Sequence, residues 1–185
     1  MLRKLYLLFT EKKVVLFTLV VTSLLILITS RIETKIAGSS GMGLIYMQIS
    51  FTRQNFEAVV ASWGRGGVEL YLKTIWIDFL YPVFMAALLS SSAAYFAWRA
   101  KKNLKEEIGR IDLVLFAVPF VGALLDFAEN ILHVIILGQR IFTEEIIFTA
   151  SLVSTARLFI LVVGISWMLR NYFLFRKSMV PGGGR

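Results

Sequence analysis

Residues 111–137 read IDLVLFAVPFVGALLDFAENILHVIIL. The hydrocarbon core of a bilayer is roughly 30 Å thick and a helix of about 20 apolar residues crosses it, so this stretch is long enough to span a membrane. At about 100° per residue, its polar residues fall on one stripe of the helix, opposite a face of Leu, Val, Ile and Phe. The stripe consists of Pro119, Gly122, Asp126, Glu129, Asn130 and His133. This pattern predicts a membrane helix whose polar stripe faces neighbouring helices and whose apolar face contacts lipid.

Three further apolar runs are long enough to cross a membrane. They lie at residues 14–30, 74–98 and 146–169. The first run is longer than the 7–15 residues or so that are usual in the apolar region of a signal peptide, so we expect an uncleaved anchor. The four runs together predict an all-α fold, a four-helix bundle integral to the membrane. We expect one membrane domain over residues 1–185, with an outer loop at 31–73.

The composition excludes several classes of protein. The chain has 185 residues, of which 57% are hydrophobic and 17% charged, whereas a soluble domain is about 45–50% apolar and about 25% charged. The absence of Cys excludes disulfides and thiol catalysis, and a single His excludes a multi-histidine metal site within one chain. We therefore predict no metal and no cofactor.

Lys and Arg residues are distributed unequally around the four spans. The N-terminus, the connection between the second and third spans and the C-terminal tail hold 13 of the 20, and the other two loops hold six. The thirteen are Arg3, Lys4, Lys12, Lys13, Arg99, Lys101, Lys102, Lys105, Arg110, Arg170, Arg176, Lys177 and Arg185. Because cytoplasmic loops carry the excess of basic residues, we predict that both termini are cytoplasmic. The net charge of +8 then reflects topology and anionic lipid rather than nucleic acid.

The outer loop contains a short amphipathic segment at residues 52–63. Phe56, Val59, Val60 and Trp63 recur at the i, i+3, i+4 and i+7 spacing of one helix face. The glycines that begin at Gly64 end the pattern. Two interpretations remain open, a helix that rests on the membrane surface and a lid over a cavity.

Four residues that are charged at neutral pH lie well inside the predicted spans, namely Asp78, Asp126, Glu129 and Arg157. Each costs about 2.5–3.5 kcal/mol to insert into a bilayer, so each needs a partner or a water-filled cavity. At a rise of about 1.5 Å per residue, Asp126 and Arg157 fall at the same depth near the middle of the membrane. We therefore predict that Arg157 pairs with Asp126 and Glu129.

A second polar group is predicted nearer the outer surface. Asp78 and His133 fall at matching depths there, and we expect them to form a cluster with Tyr81 and Asn130. The sequence from Asp78 onward reads D-x-x-Y-P. Because Pro82 has no backbone N–H, it leaves the carbonyl of Asp78 without its helical donor.

The sequence contains two short motifs. The first joins W-G-x-x-G to D-x-x-Y-P and consists of Trp63, Gly64, Gly67, Tyr71, Asp78, Tyr81 and Pro82. The second reads P-x6-D-x-x-E-N and consists of Pro119, Asp126, Glu129 and Asn130, and Thr155 and Arg157 follow at a place where a cationic residue is usual. Over residues 14–172 the pattern resembles a group of small four-span microbial membrane proteins of uncharacterised function. The resemblance implies a polar-core fold in the plasma membrane of a microbe, and it implies no activity.

The favoured function is a structural or binding role. The predicted ligand-binding residues are Asp78, Tyr81, Asp126, Glu129, Asn130, His133 and Arg157. We expect them to line an outward-facing pocket for a lipid or a small amphiphile. The predicted partners are membrane lipids and a second copy of the chain, and no nucleic acid.

Two alternatives remain open. In the first, the chain is an intramembrane acid–base enzyme that acts on a lipid, with Asp78, Glu129 and His133 as catalytic candidates. In the second, it is a small proton-coupled transporter. The lack of an internal inverted repeat argues against a monomeric transporter.

Overall fold

The structure is a computed structural model that describes residues 2–179, and in this part of the chain all regular elements are helical. Its six α-helices are α1 (Leu2–Phe9), α2 (Lys12–Ala37), α3 (Leu44–Gln48), α4 (Arg53–Leu104), α5 (Arg110–Gln139) and α6 (Glu144–Ser178). A 3₁₀ helix, Gly38–Ser40, follows α2. Arg185, which was counted with the basic tail, lies outside the described residues.

Four helices, α2, α4, α5 and α6, are long and apolar enough to cross a membrane. Each contains one predicted span, so the all-α fold with four spanning helices is confirmed as an architecture compatible with a membrane bundle. Each helix extends beyond its apolar run, because the polar residues that flank the run also adopt helical conformation. Thus α2 continues to Ala37, and the next residue, Gly38, has a positive φ of 51°, as is common after a helix end.

The long helices expose large apolar side chains on one side. Phe17 on α2, Leu124 on α5 and Phe159 on α6 are 61%, 65% and 70% exposed. Soluble monomers rarely expose extended apolar surface, so these faces suit contact with lipid. The opposite face of α5 is buried at all six predicted stripe positions. The predicted division of α5 into a polar inner face and an apolar outer face is therefore confirmed.

The described chain forms two compact units. Unit 1 contains residues 2–22, 83–122 and 159–179, and unit 2 contains Ser23–Pro82 and Ala123–Leu158. The core of unit 1 packs Tyr6 of α1 against Phe116 and Trp167. Tyr6 is fully buried, and its hydroxyl donates to the carbonyl of Ala94 at 3.4 Å. Burial, reinforced by the nearby carboxylate of Asp112, raises the pKa of Tyr6.

The core of unit 2 includes the apolar residues at the start of α4. Phe56, Val59 and Trp63 are 1%, 6% and 7% exposed and pack in one cluster with Tyr71. Gly64 interrupts the helical backbone with φ 61° and ψ −178°, a conformation essentially restricted to glycine. The segment 53–63 therefore places its apolar stripe against the side chains of unit 2 and has its own direction relative to the rest of α4.

Candidate functional site

The candidate site lies within unit 2, and α5 supplies its central residues. Asp126, Glu129, Asn130 and His133 occupy two successive turns of one face, because the spacings of three and four residues bring side chains together on a helix. They are 4%, 0%, 4% and 1% exposed. The remaining members come from α3, α4 and α6, so the site joins four elements of one unit.

Arg157 of α6 forms the ionic centre of the site. Its Nη1 donates to Oδ1 of Asp126, and its Nε lies 3.3 Å from Oε2 of Glu129. Its Nη2 donates to Oε1 of Gln48 at 3.2 Å. The predicted pairing of Arg157 with Asp126 and Glu129 is confirmed. Gln48 was not predicted, since a single polar residue on a five-residue helix gives no periodic signal.

Asn130 connects α5 to the carbonyl that Pro82 leaves free. Its Nδ2 lies 3.1 Å from the backbone oxygen of Asp78 and 3.2 Å from Oδ2 of Asp126. The prediction that the carbonyl of Asp78 is available as an acceptor is confirmed, because a side chain donates to it where the helix cannot. The proline and the asparagine are therefore complementary parts of one contact.

His133 contacts Tyr71, Glu129 and Phe56 rather than Asp78, the neighbour predicted from its depth. Its Nδ1 lies 3.5 Å from the hydroxyl of Tyr71 and 3.9 Å from Oε1 of Glu129, and its ring centroid lies 6.3 Å from that of Phe56. Among residues 2–179, no hydrogen bond joins it to Asp78. Depth fixes the level of a residue and not its direction. Tyr71 occupies the same face of α4 as Asp78, two turns earlier, and reaches the histidine instead.

Tyr81 is half-buried, and no hydrogen bond within the described chain ties it to the other predicted residues. Asp78 is also half-buried and takes part through its backbone oxygen. The structure therefore brings Asp126, Glu129, Asn130 and Arg157 together most closely. We call these four residues, with Asp78, Gln48, Tyr71 and His133, the polar cluster.

The polar cluster holds more acceptors than donors. It contains the carboxyl groups of Asp78, Asp126 and Glu129 and one guanidinium, which contacts those of Asp126 and Glu129. Within residues 2–179, neither oxygen of Glu129 has a hydrogen-bond donor, and Nε2 of His133 has no partner. More than about nine in ten buried polar groups in proteins are hydrogen-bonded, so each of these atoms calls for an explanation. No group of three or more metal-ligating side chains occurs in this part of the chain.

A cavity of about 470 Å³ lies in the same unit. Its apolar walls include Val60, Val68, Leu137 and Phe142, and its charged residues are Arg65, Glu69 and Arg140. None of the predicted ligand-binding residues lines it. It is nevertheless close to the polar cluster, because Phe142 packs on Phe56 with a centroid separation of 6.0 Å and Phe56 packs on His133.

Comparisons of the chain with protein-family models, with curated proteins and with solved structures give no match. The function of the site is therefore inferred from its geometry.

We expect the contact between Asn130 and the Asp78 carbonyl to depend on Pro82. Replacing Asn130→Leu leaves a buried carbonyl without a donor and should lower the free energy of unfolding by about 1–3 kcal/mol. In a Pro82→Ala background, the restored backbone N–H can donate to that carbonyl, so the same replacement should cost less. Thermal unfolding of the four proteins in detergent measures this difference.

The exposed Asn103 at the end of α4 provides the control, since its side chain makes only a solvent-exposed hydrogen bond to Ser178 within the described chain and Asn103→Leu should change the melting temperature little. Equal costs of Asn130→Leu in both backgrounds would show that the asparagine acts only through Asp126.

Proposed function

We propose that this chain is a multi-pass membrane protein that binds a lipid or a small amphiphile in the 470 Å³ cavity of unit 2. The lining of the cavity carries this proposal. Ligand sites are mostly apolar and contain a few polar groups that orient the ligand. Here apolar walls meet Arg140 and the ion pair of Arg65 with Glu69, which suits a molecule with one apolar and one polar end.

In this proposal the polar cluster is the support of the cavity. Arg157 fastens α6 to two carboxylates of α5 and to Gln48 of α3. Because leaving any of these charges unpaired in an apolar interior is costly, the cluster holds the helices around the cavity in one arrangement. The aromatic contacts of Phe56 with His133 and Phe142 connect that support to the cavity wall.

The segment 53–63 acts as the lid in this proposal. Val60 and Ala61 line the cavity, whereas Phe56 and Trp63 are buried in the core of unit 2. Gly64 lines the cavity as well and supplies the change of direction after the segment. These contacts favour a lid over a helix that rests on the membrane surface.

We further propose that the protein lies in the plasma membrane of a microbe with both termini in the cytoplasm, as a member of the four-span group that its motifs resemble. The support is the unequal distribution of Lys and Arg. The chain has no native Cys, so Gln139→Cys and Asn103→Cys each introduce one thiol. A membrane-impermeant maleimide added to intact cells should label the first and not the second. Labelling of Asn103→Cys alone would reverse the orientation.

Removing the central cation should destabilise the protein strongly. In Arg157→Ala, the buried carboxylates of Asp126 and Glu129 lose their counter-ion, and we expect a loss of about 3–5 kcal/mol of stability. Melting in detergent, followed by size-exclusion chromatography, measures the loss. The exposed Arg140 serves as the control, because Arg140→Ala removes the same charge without leaving a buried partner.

A rescue experiment separates a lost ion pair from a lost contact surface. Because Arg157 faces two carboxylates, the combined change Arg157→Met, Asp126→Leu and Glu129→Gln removes all three charges and should recover most of the stability. A normal melting temperature for Arg157→Ala would refute the structural role of the polar cluster.

Bound molecules provide the direct test of the binding function. We expect mass spectrometry of the protein purified in mild detergent to find a specific lipid or amphiphile that Val68→Trp excludes by filling the cavity. Val114→Trp, at a position 62% exposed on α5, is the matched control and should retain the ligand. If no molecule is enriched in the wild type relative to Val68→Trp, the binding proposal fails.

Nε2 of His133, which has no hydrogen-bond partner within the described chain, and the neighbouring carboxyl of Glu129 favour a second candidate, an intramembrane enzyme that transfers a proton on the bound lipid. Asp78→Asn combined with Glu129→Gln distinguishes the two. A binding protein should retain the same ligand in this variant, whereas an enzyme should accumulate its substrate, an isomer of equal mass that chromatographic retention and fragmentation distinguish from the molecule found with the wild type.

A further inference from the structure

Unit 1 contains a second cavity, of about 570 Å³, with a different lining. Its walls include Ala97, Ala100, Leu104, Ile111 and Leu174. Arg110, the first residue of α5, and Arg170 of α6 also line it, and both are exposed. The cavity therefore combines an apolar wall with two guanidinium groups that a ligand can reach.

The acidic residues of this cavity leave the two arginines available. Asp112 pairs with Lys101 at 2.6 Å and accepts the backbone N–H of Gly109 at 2.9 Å. Glu106 also lines the cavity. Within residues 2–179, no carboxylate lies within ion-pairing distance of Arg110 or Arg170. Since Lys101 and Asp112 neutralise each other, the remaining lining charges are two positive and one negative.

Asn171 adds a buried donor to the same cavity. It lines the cavity and is only 2% exposed. Its Nδ2 has no hydrogen-bond partner within the described chain. A buried amide N–H without an acceptor costs stability unless a ligand or water supplies one. The group therefore points to an acceptor that the protein itself does not provide.

We propose that this cavity binds the headgroup phosphate of an anionic phospholipid. Arg110 and Arg170 pair with the phosphate, the amide of Asn171 donates to one of its oxygens, and the acyl chains lie along the apolar wall. Guanidinium groups suit phosphate because they present several donors in a plane. The wall formed by residues such as Leu104 and Leu174 favours a lipid over a free anion, which would need no apolar contact.

This inference rests on the proposed membrane location and is independent of the amphiphile cavity in unit 2. In the proposed orientation, Arg110 and Arg170 are on the cytoplasmic side. The cytoplasmic leaflet is the one in which anionic lipids and basic residues attract each other. The site therefore binds a resident lipid of that leaflet rather than a substrate that arrives from outside.

Lipid titration with native mass spectrometry tests the proposal. The full-length protein in detergent is mixed with phosphatidylglycerol or with phosphatidylcholine of identical acyl chains, and inorganic phosphate is added as a competitor. We expect the wild type to prefer phosphatidylglycerol, and Arg110→Gln combined with Arg170→Gln to weaken that binding at least about tenfold. Asn171→Leu should weaken it as well.

The matched control is Arg31→Gln combined with Lys35→Gln, which removes two positive charges from exposed positions of unit 2 outside both cavities and should bind phosphatidylglycerol as the wild type does. Equal loss in both double variants would show that net charge alone attracts the lipid and would overturn the site. Equal binding of the two lipids by the wild type would also overturn it, as would full competition by millimolar phosphate. Melting temperatures without lipid establish that each variant is folded, and the topology experiment tests the membrane location separately.

Discussion

The guanidinium of Arg157 is the group on which the arrangement of unit 2 depends, because it is the cation that pairs with the two buried carboxylates of Asp126 and Glu129. Neither the arginine nor Asp126 and Glu129 could be buried alone, since each isolated charge costs several kcal/mol to desolvate. Together they form two ion pairs, and a further N–H of the arginine donates to Gln48. This requirement fixes which faces of α5 and α6 meet within the unit.

Next to this ionic centre, a backbone hydrogen bond that is missing in α4 is replaced by a contact with α5. Pro82 removes the donor for the carbonyl of Asp78, and Asn130 supplies a replacement from α5. Such contacts make polar residues specific connectors in an apolar environment. The oxygens of Glu129 and Nε2 of His133 take no part in this contact, and they have no hydrogen-bond partner within the described chain. Whether the polar cluster only supports the fold or also carries out chemistry depends on these atoms.

The sequence predicted those features that depend on local pattern. Four spans, the buried stripe of α5 and the pairing of Arg157 follow from hydropathy, from the helical period and from depth along a helix. The contact of Tyr71 with His133 required the direction in which α4 faces, which depth does not give. The burial of Tyr6, the role of Gln48 and both cavities depend on how the connecting segments pack, and no periodicity encodes that. The recurrence of Leu2, Leu5, Tyr6 and Phe9 at the i, i+3, i+4 and i+7 spacing was the available signal for α1.

The order of the cluster residues along the chain constrains how the protein is made. Asp126 and Arg157 are 31 residues apart, and ribosomes add about 5–20 residues per second. For roughly two to six seconds, therefore, α5 exists with its carboxylates and without its cation. In the proposed membrane location, bare hydrocarbon disfavours those carboxylates until their cation is present. We therefore expect α5 and α6 to enter the bilayer as a pair, with Arg157 of α6 supplying the counter-ion of Asp126 and Glu129.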